Sequence, residues 1–299
     1  MEELLSTLVR IFVPIFAAGS MLTVGFRYSV QEIVKPLRDI PGVITAIVAN
    51  FVLIPLLAVG IVSLIPIETP LAIGLILVSA AAGAPMLIKL TQMAREPVPF
   101  AASILVLLLL VTMIYMPLVI PRLASGAPIS ALSIARPLLI TMLLPLSVGF
   151  VVRAVSRRTA ETLLPWTGKI TNIALYIMLV ATILGNLDEV ISVFGKGAIL
   201  ASLLLIAGAF AIGYLVGTFD KREKIVLGFA TAQRNFAAAM VVAVQSFIDP
   251  GVLVMTVVCS TIAMLLLPFA RLLGKRKART ARPEGGDDGA SRKETRTAA

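Results

Sequence analysis

The tripeptide Gln233-Arg234-Asn235 stands inside a stretch, 225–244, that is otherwise mostly apolar. A charge at the centre of a bilayer costs roughly 2.5 to 3.5 kcal/mol even on the lenient insertion scale, so within a membrane it marks a functional site by default. Arg234 lies ten residues beyond Lys224, about 15 Å of helix rise, too deep to snorkel back to the surface. A fixed guanidinium among neutral amides and hydroxyls is suited to holding a carboxylate through charge-assisted hydrogen bonds. Asn235, Gln233, Thr231 and Asn50 would supply neutral bonds, and Lys89 and Thr91 are the further candidates. The spans offer almost no acidic partner, since Asp188, Glu189, Asp220, Glu223 and Asp249 fall at loops or edges.

Two readings of Arg234 stay open on the residues: it takes an anion from outside the protein, or it is satisfied by helix C-terminal carbonyls or another buried polar group. Asn50, between Val48-Ala49 and Phe51-Val52, is either a ligand contact or an interhelical hydrogen bond. Lys89 faces a cavity or anchors at the cytoplasmic interface. Gly83 and Pro85, in Ala80-Ala81-Ala82-Gly83-Ala84-Pro85, mark either a simple kink or a helix break, and a break is tolerated at membrane depth only against protein or a water-filled cavity.

The elements that must carry these residues follow from composition. Hydrophobic residues make up 59% of 299 positions and charged residues 14%, with a mean hydropathy of +1.01. Soluble domains carry about 25% charged residues, so this is an integral membrane protein. Apolar runs long enough to cross a hydrocarbon core of about 30 Å recur, and the alternation of barrel strands is absent. Nine transmembrane helices are expected, near 8–25, 43–64, 71–88, 98–120, 131–152, 170–187, 198–216, 225–247 and 252–273.

Counted over alternate loops, Arg27, Lys35, Arg38, Arg95, Arg153, Arg157, Arg158, Lys169, Lys221, Arg222 and Lys224 fall on one side with Arg271, Lys275, Arg276, Lys277 and Arg279. Arg122 and Lys196 fall on the other, with Glu68, Asp188, Glu189 and Asp249. The positive-inside rule then puts the N-terminus outside and the C-terminus in the cytoplasm, in a cell (inner or plasma) membrane. The first apolar segment lacks the features of a cleaved signal and is expected to stay as a helix. Residues 1–274 are expected to form the transmembrane domain, and 275–299 a disordered basic cytoplasmic tail anchored at anionic lipid.

Histidine is absent and Cys259 is the single cysteine, so no His/Cys metal site, disulfide or imidazole relay is expected, and no cofactor. An intramembrane enzyme lacks its acid pair or activated nucleophile, and a phosphate-binding loop for ATP-driven transport is missing. The net charge of +10 sits in short loops and the tail, which reads as topology rather than nucleic-acid binding. The partners expected are a small anionic molecule and the lipid bilayer.

Four stretches in order resemble the bile acid:sodium symporter family, within a wider superfamily that includes arsenite and riboflavin carriers. Residues 25–41 (GFRYSVQEIVKPLRDIP) are similar to its first cytoplasmic loop and 46–55 (AIVANFVLIP) to the next helix. Residues 72–94 are similar to its first broken helix and 228–243 (GFATAQRNFAAAMVVA) to its second. The resemblance runs nearly end to end, stopping at the tail. It implies an all-α, nine-helix divergent member with two inverted repeats, whose third and eighth helices are discontinuous and cross near the bilayer centre, and transport by alternating access.

The departures from the pattern concern sodium. The resemblance implies Ser-Asn in the first broken helix and an acid in the second, where this chain has Leu87-Ile88 and Ala230. A glutamine position of the family aligns with Arg234, and another sodium-contacting glutamine with Asn50. Hard cations need several oxygen ligands, and these aliphatic side chains bring none. The expectation is a secondary transporter of an organic anion without two-sodium coupling, with Arg234 and Lys89 as fixed counter-charges. A sodium-coupled symporter with altered sites and a non-transporting ligand sensor on the same fold are the alternatives, and an arsenite-type permease is disfavoured by the missing Cys and acid.

Overall fold

In lipid a backbone must satisfy its own hydrogen bonds, and the described residues of this chain do so with helices. The computed structural model describes residues 2–34, 39–123, 129–185, 191, 193, 197–217 and 221–280, and every regular element among them is helical. Lys35, Arg38, Asp188, Glu189 and Lys196 of the charge count, the edge residue Asp220, and residues 281–299 of the expected tail lie outside these.

In chain order the elements are α1 (Glu2–Arg27), α2 (Val30–Val34), α3 (Ile40–Val48), α4 (Ile54–Leu64), α5 (Thr69–Ala80), α6 (Met86–Met93), α7 (Val98–Leu123), α8 (Ala131–Leu138) and α9 (Leu144–Val155). They continue as α10 (Arg157–Gly185), α11 (Ala198–Val216), α12 (Lys221–Ala232), α13 (Phe236–Ser246), α14 (Pro250–Ala263) and α15 (Leu266–Thr280). Among the described residues, eight helices or joined helices are long and apolar enough to cross a membrane, and α5 is a shorter apolar helix. The third expected span does not appear as a long helix because it stops at Ala80 and restarts at Met86.

Two joins are π-helical turns. Ala49–Leu53 links α3 to α4, and Leu139–Leu143 links α8 to α9, each just ahead of a proline, Pro55 or Pro145. In the first, the Ile54 N–H bonds to Ala49 O, five residues back. The carbonyl of Asn50 thereby loses the Ile54 N–H of an ordinary α-turn, and Pro55 has no N–H to replace it. A backbone acceptor is set free in the middle of an apolar helix.

Packing divides into two sets. In one, α1 lies along α9 and α10; in the other, α5 packs on α14 and α7, and α11 on α12, α4 and α14. Helix α13 bridges them by touching α1 of the first set and α14 and α5 of the second. The α1–α9 contact is backbone to backbone: a Cβ on Gly25 would meet Gly149 Cα and Leu146 O, both at 2.7 Å. Gly25→Ala should therefore force these helices apart and cost about 1–3 kcal/mol of stability. The check is thermal unfolding of the purified protein, where an unchanged melting temperature would show that the crossing can open freely.

The ends of α2 and α6 are locally well capped. Ser29 and Glu32 form a reciprocal capping box at α2, Ser29 N–H donating to Glu32 Oε2 at 2.8 Å and Glu32 N–H to Ser29 Oγ at 3.3 Å. The Ser29 N–H and hydroxyl hold the Glu32 carboxyl below its ordinary range. Helix α6 closes with Arg95 at φ 57° and Glu96 N–H donating to Thr91 O at 3.0 Å, a Schellman arrangement. Helix α15 presses Gly274 against Met93 O, and Lys277 Nζ reaches the buried Glu96 Oε1 at 2.5 Å. Those contacts carry α15 six residues past the expected tail boundary at 274, to Thr280.

Candidate functional site

The two interrupted helices meet at their interruptions. Helix α5 ends at Ala80 because Ala81 leaves helical geometry (φ −91°, ψ 95°), Gly83 adopts φ 80°, and Pro85 caps α6. Helix α12 ends at Ala232, and Asn235 caps α13, its Oδ1 accepting from Ala238 N–H at 3.1 Å. The Asn235 N–H donates to Ala81 O at 2.8 Å, tying one break to the other. Four helix ends thus converge, the C-termini of α5 and α12 and the N-termini of α6 and α13.

Arg234 occupies the C-terminal side of this junction. It is fully buried, and all five of its N–H donors face protein oxygen. Nε donates to Val78 O at 3.3 Å, Nη1 to Asn50 Oδ1 at 2.7 Å and Thr231 O at 3.1 Å, and Nη2 to Asn50 O at 3.4 Å and Ser79 O at 2.5 Å. Val78 and Ser79 supply last-turn carbonyls of α5 and Thr231 one of α12, groups that a helix leaves without intrahelical partners. The partial negative charge at both ends favours a cation there. Asn50 O is the acceptor that the π-turn and Pro55 release. The five oxygens are all formally neutral, and among the described residues the buried acid, Glu96, pairs instead with Lys277.

Of the two readings of Arg234 that the residues left open, the protein-satisfied one describes its hydrogen bonds in this conformation. Asn50 and Thr231 join it, Asn50 through side chain and backbone, but Thr231 only through its carbonyl. The Thr231 hydroxyl turns to Ala209 O at 2.7 Å and to its own helix. Thr91 is buried with its hydroxyl on Leu87 O at 2.8 Å, also its own helix. Gln233 is buried beside Arg234, its N–H on Phe229 O at 2.8 Å. Lys89 is exposed on α6.

Asn235 is different. It is buried, and its Nδ2 has no hydrogen-bond partner among the described residues. A buried amide donor left bare costs about 1–3 kcal/mol, which a ligand acceptor would relieve. It sits at the N-terminal end of α13, where the helix dipole favours negative charge. The junction is therefore polar in two senses, with a cation on the C-terminal ends and one unpaired donor, Asn235 Nδ2, at the N-terminal end of α13. Leu87, Ile88 and Ala230 are buried at 1%, 2% and 1% exposure and bring no side-chain oxygen to it.

Sequence reasoning did not find Val78, Ser79 or Thr112. The first two act through carbonyls, which have no residue signature. Thr112, on α7, bonds both the N–H and the C=O of Ala82, each at 2.9 Å, and only its polarity in an apolar run hinted at it.

Comparison with known proteins gives a consistent set. The sequence model of the Sodium Bile acid symporter family matches residues 6–193. A protein named Probable sodium/metabolite cotransporter BASS2, chloroplastic, from Oryza sativa subsp. japonica is 25% identical over 246 residues, 80% of this chain and 58% of the relative. Probable sodium/metabolite cotransporter BASS3, chloroplastic, from Arabidopsis thaliana is 23% identical, with 66% and 46% covered. Uncharacterized sodium-dependent transporter YocS from Bacillus subtilis (strain 168) is 22% identical, with 71% and 65% covered. The chain spans between about half and two thirds of the length of these relatives.

Proposed function

The chain belongs to the Sodium Bile acid symporter family, and on that premise we propose that it is a secondary transporter moving an organic anion across the plasma membrane by alternating access, without sodium coupling. In this reading the broken α5–α6 and α12–α13 segments are third and eighth of nine crossings in two inverted repeats. The N-terminus is outside, the C-terminus cytoplasmic, and the fifth crossing has no repeat partner.

The observation that carries the proposal is the oxygen cage around Arg234. It gathers carbonyls from two helix C-termini, where a cation is favoured, yet the cation is covalently attached. A tethered charge cannot be carried down a gradient, so it stabilises the crossover without coupling to an ion. Arg234 then acts on the substrate through its field. Asn235 Nδ2 makes the direct contact, in the positive field of the α6 and α13 N-terminal ends, with Gln233 beside it and exposed Lys89 adding positive charge on the approach. Asn50, Thr231 and the Thr91-bearing α6 hold the frame.

Relatives named sodium/metabolite cotransporters support the competing reading of a sodium-coupled symporter with altered ligands. Purified protein in proteoliposomes, given a panel of labelled carboxylates (a 2-oxo acid, a steroid carboxylate, a prenyl-type acid), separates the two. Uptake is expected to differ less than about twofold when external sodium is replaced by choline. Accumulation driven by an inward sodium gradient would overturn the proposal in favour of the symporter, and binding without flux would favour a sensor.

A further inference from the structure

The unwound segment between α5 and α6 has to place its peptide groups somewhere, since a bare buried N–H or C=O is costly. Ala81 O takes the Asn235 N–H, and Ala84 O and Pro85 O take the N–H groups of Leu87 and Ile88. Ala82 lies between them. In a continuous helix its N–H would seek Val78 O, four residues back. Here that carbonyl already accepts from Ala81 N–H at 3.1 Å and Arg234 Nε at 3.3 Å. The fully buried Thr112 hydroxyl instead accepts from Ala82 N–H and donates to Ala82 O.

The next residue, Gly83, lies directly on the backbone of α7 about one turn from Thr112, where an added Cβ would meet Leu109 N, Leu109 Cα and Leu105 O. Helix α7 therefore supplies both the seat of the break and the hydrogen bonds of Ala82.

We infer that Thr112 is a positioning residue: its hydroxyl keeps the first break unwound and so leaves the Val78 and Ser79 carbonyls to Arg234. Without it, Ala82 N–H is either bare or competes for Val78 O, and in both cases the carbonyl cage around Arg234 is disturbed. The effect on transport rests on the proposed function; the effect on the backbone does not.

Thr112→Val keeps the side-chain shape and removes the hydroxyl, and Thr112→Ser keeps the hydroxyl. In hydrogen–deuterium exchange on the purified protein, amides of 81–84 are expected to exchange at least about tenfold faster in Thr112→Val and within about threefold of wild type in Thr112→Ser. With a carboxylate that the wild type moves, transport kcat/KM per folded carrier should fall at least about tenfold in the valine variant and recover in the serine variant. Exchange within twofold of wild type in Thr112→Val overturns the inference. Changed exchange with unchanged transport removes its functional half. A wild type that moves none of the panel refutes the transport reading, while the exchange still decides on Thr112.

Discussion

Arg234→Gln is expected to reduce transport about a hundredfold or more and to lower the melting temperature of the purified protein. A glutamine amide has two N–H donors against the five that the guanidinium directs at Val78 O, Ser79 O, Thr231 O, Asn50 O and Asn50 Oδ1. At least three oxygens lose this donor; Val78 O keeps the Ala81 N–H, so at least two are left bare, and each buried unsatisfied acceptor costs about 1–3 kcal/mol. The positive field at the crossover disappears as well.

Arg234→Lys separates these contributions, because lysine keeps the charge but has three donors on one nitrogen and cannot bridge two helix ends and Asn50. Lysine is expected to restore little transport. Recovery to more than half the wild-type rate would show that charge alone suffices. Wild-type transport by folded Arg234→Gln would remove Arg234 from the mechanism altogether. Transport assays normalised to folded protein by size-exclusion yield, with melting curves alongside, read out all of these.

Gly83→Ala is expected to be nearly as damaging, for steric reasons. The backbone there has φ 80°, where a side chain costs about 1–2 kcal/mol. The added Cβ would lie 2.5 Å from Leu109 N and 2.8 Å from Leu109 Cα, rigid helix backbone with no rotamer to move. Overpacking of this kind adds about 1–3 kcal/mol. Either α7 shifts, taking Thr112 with it, or the break leaves its seat; both displace the α5 carbonyls from Arg234.

Gly60→Ala is the matched control, because a Cβ at Gly60 meets nothing within 4 Å and the residue is in the middle of α4. It should leave transport unchanged and slightly raise the melting temperature, since alanine is the better helix former. A Gly83→Ala protein that melts and transports like wild type would mean that the break does not need its left-handed backbone.

Much of the frame was legible in the residues. The apolar composition and run lengths gave the class, and Gly83 and Pro85 narrowed 81–85 to a kink or a break because both weaken a helix by known means. Counting residues from Lys224 marked Arg234 as far from the helix end, and it is fully buried in the protein. Hydropathy located only the apolar part of each crossing. Helix α10 begins at Arg157, thirteen residues before the expected 170, because its polar first turns continue the helix without an apolar signal.

The partners of Arg234 could not be read, because four of the five are main-chain oxygens and any residue type could have supplied them. Hydroxyls misled for a related reason. Thr91 and Thr231 looked available for a ligand, but a threonine in a helix commonly turns to a carbonyl of the preceding turn, and both do. Thr112 looks no different in sequence, and only the course of a distant segment makes its hydroxyl important.

The π-turn at Ala49–Leu53 fixes rotation as well as hydrogen bonding. Helical residues are spaced about 100° apart around the axis, so one surplus residue turns everything on one side of it by about that angle. Deleting a single residue within this turn would restore an ordinary helix and swing either Asn50 or the α4 face that packs on α11 away from its partner. The polar position opposite Arg234 is therefore specified by chain length as much as by residue identity. Between relatives, a one-residue gap at this point changes the site as surely as a substitution does.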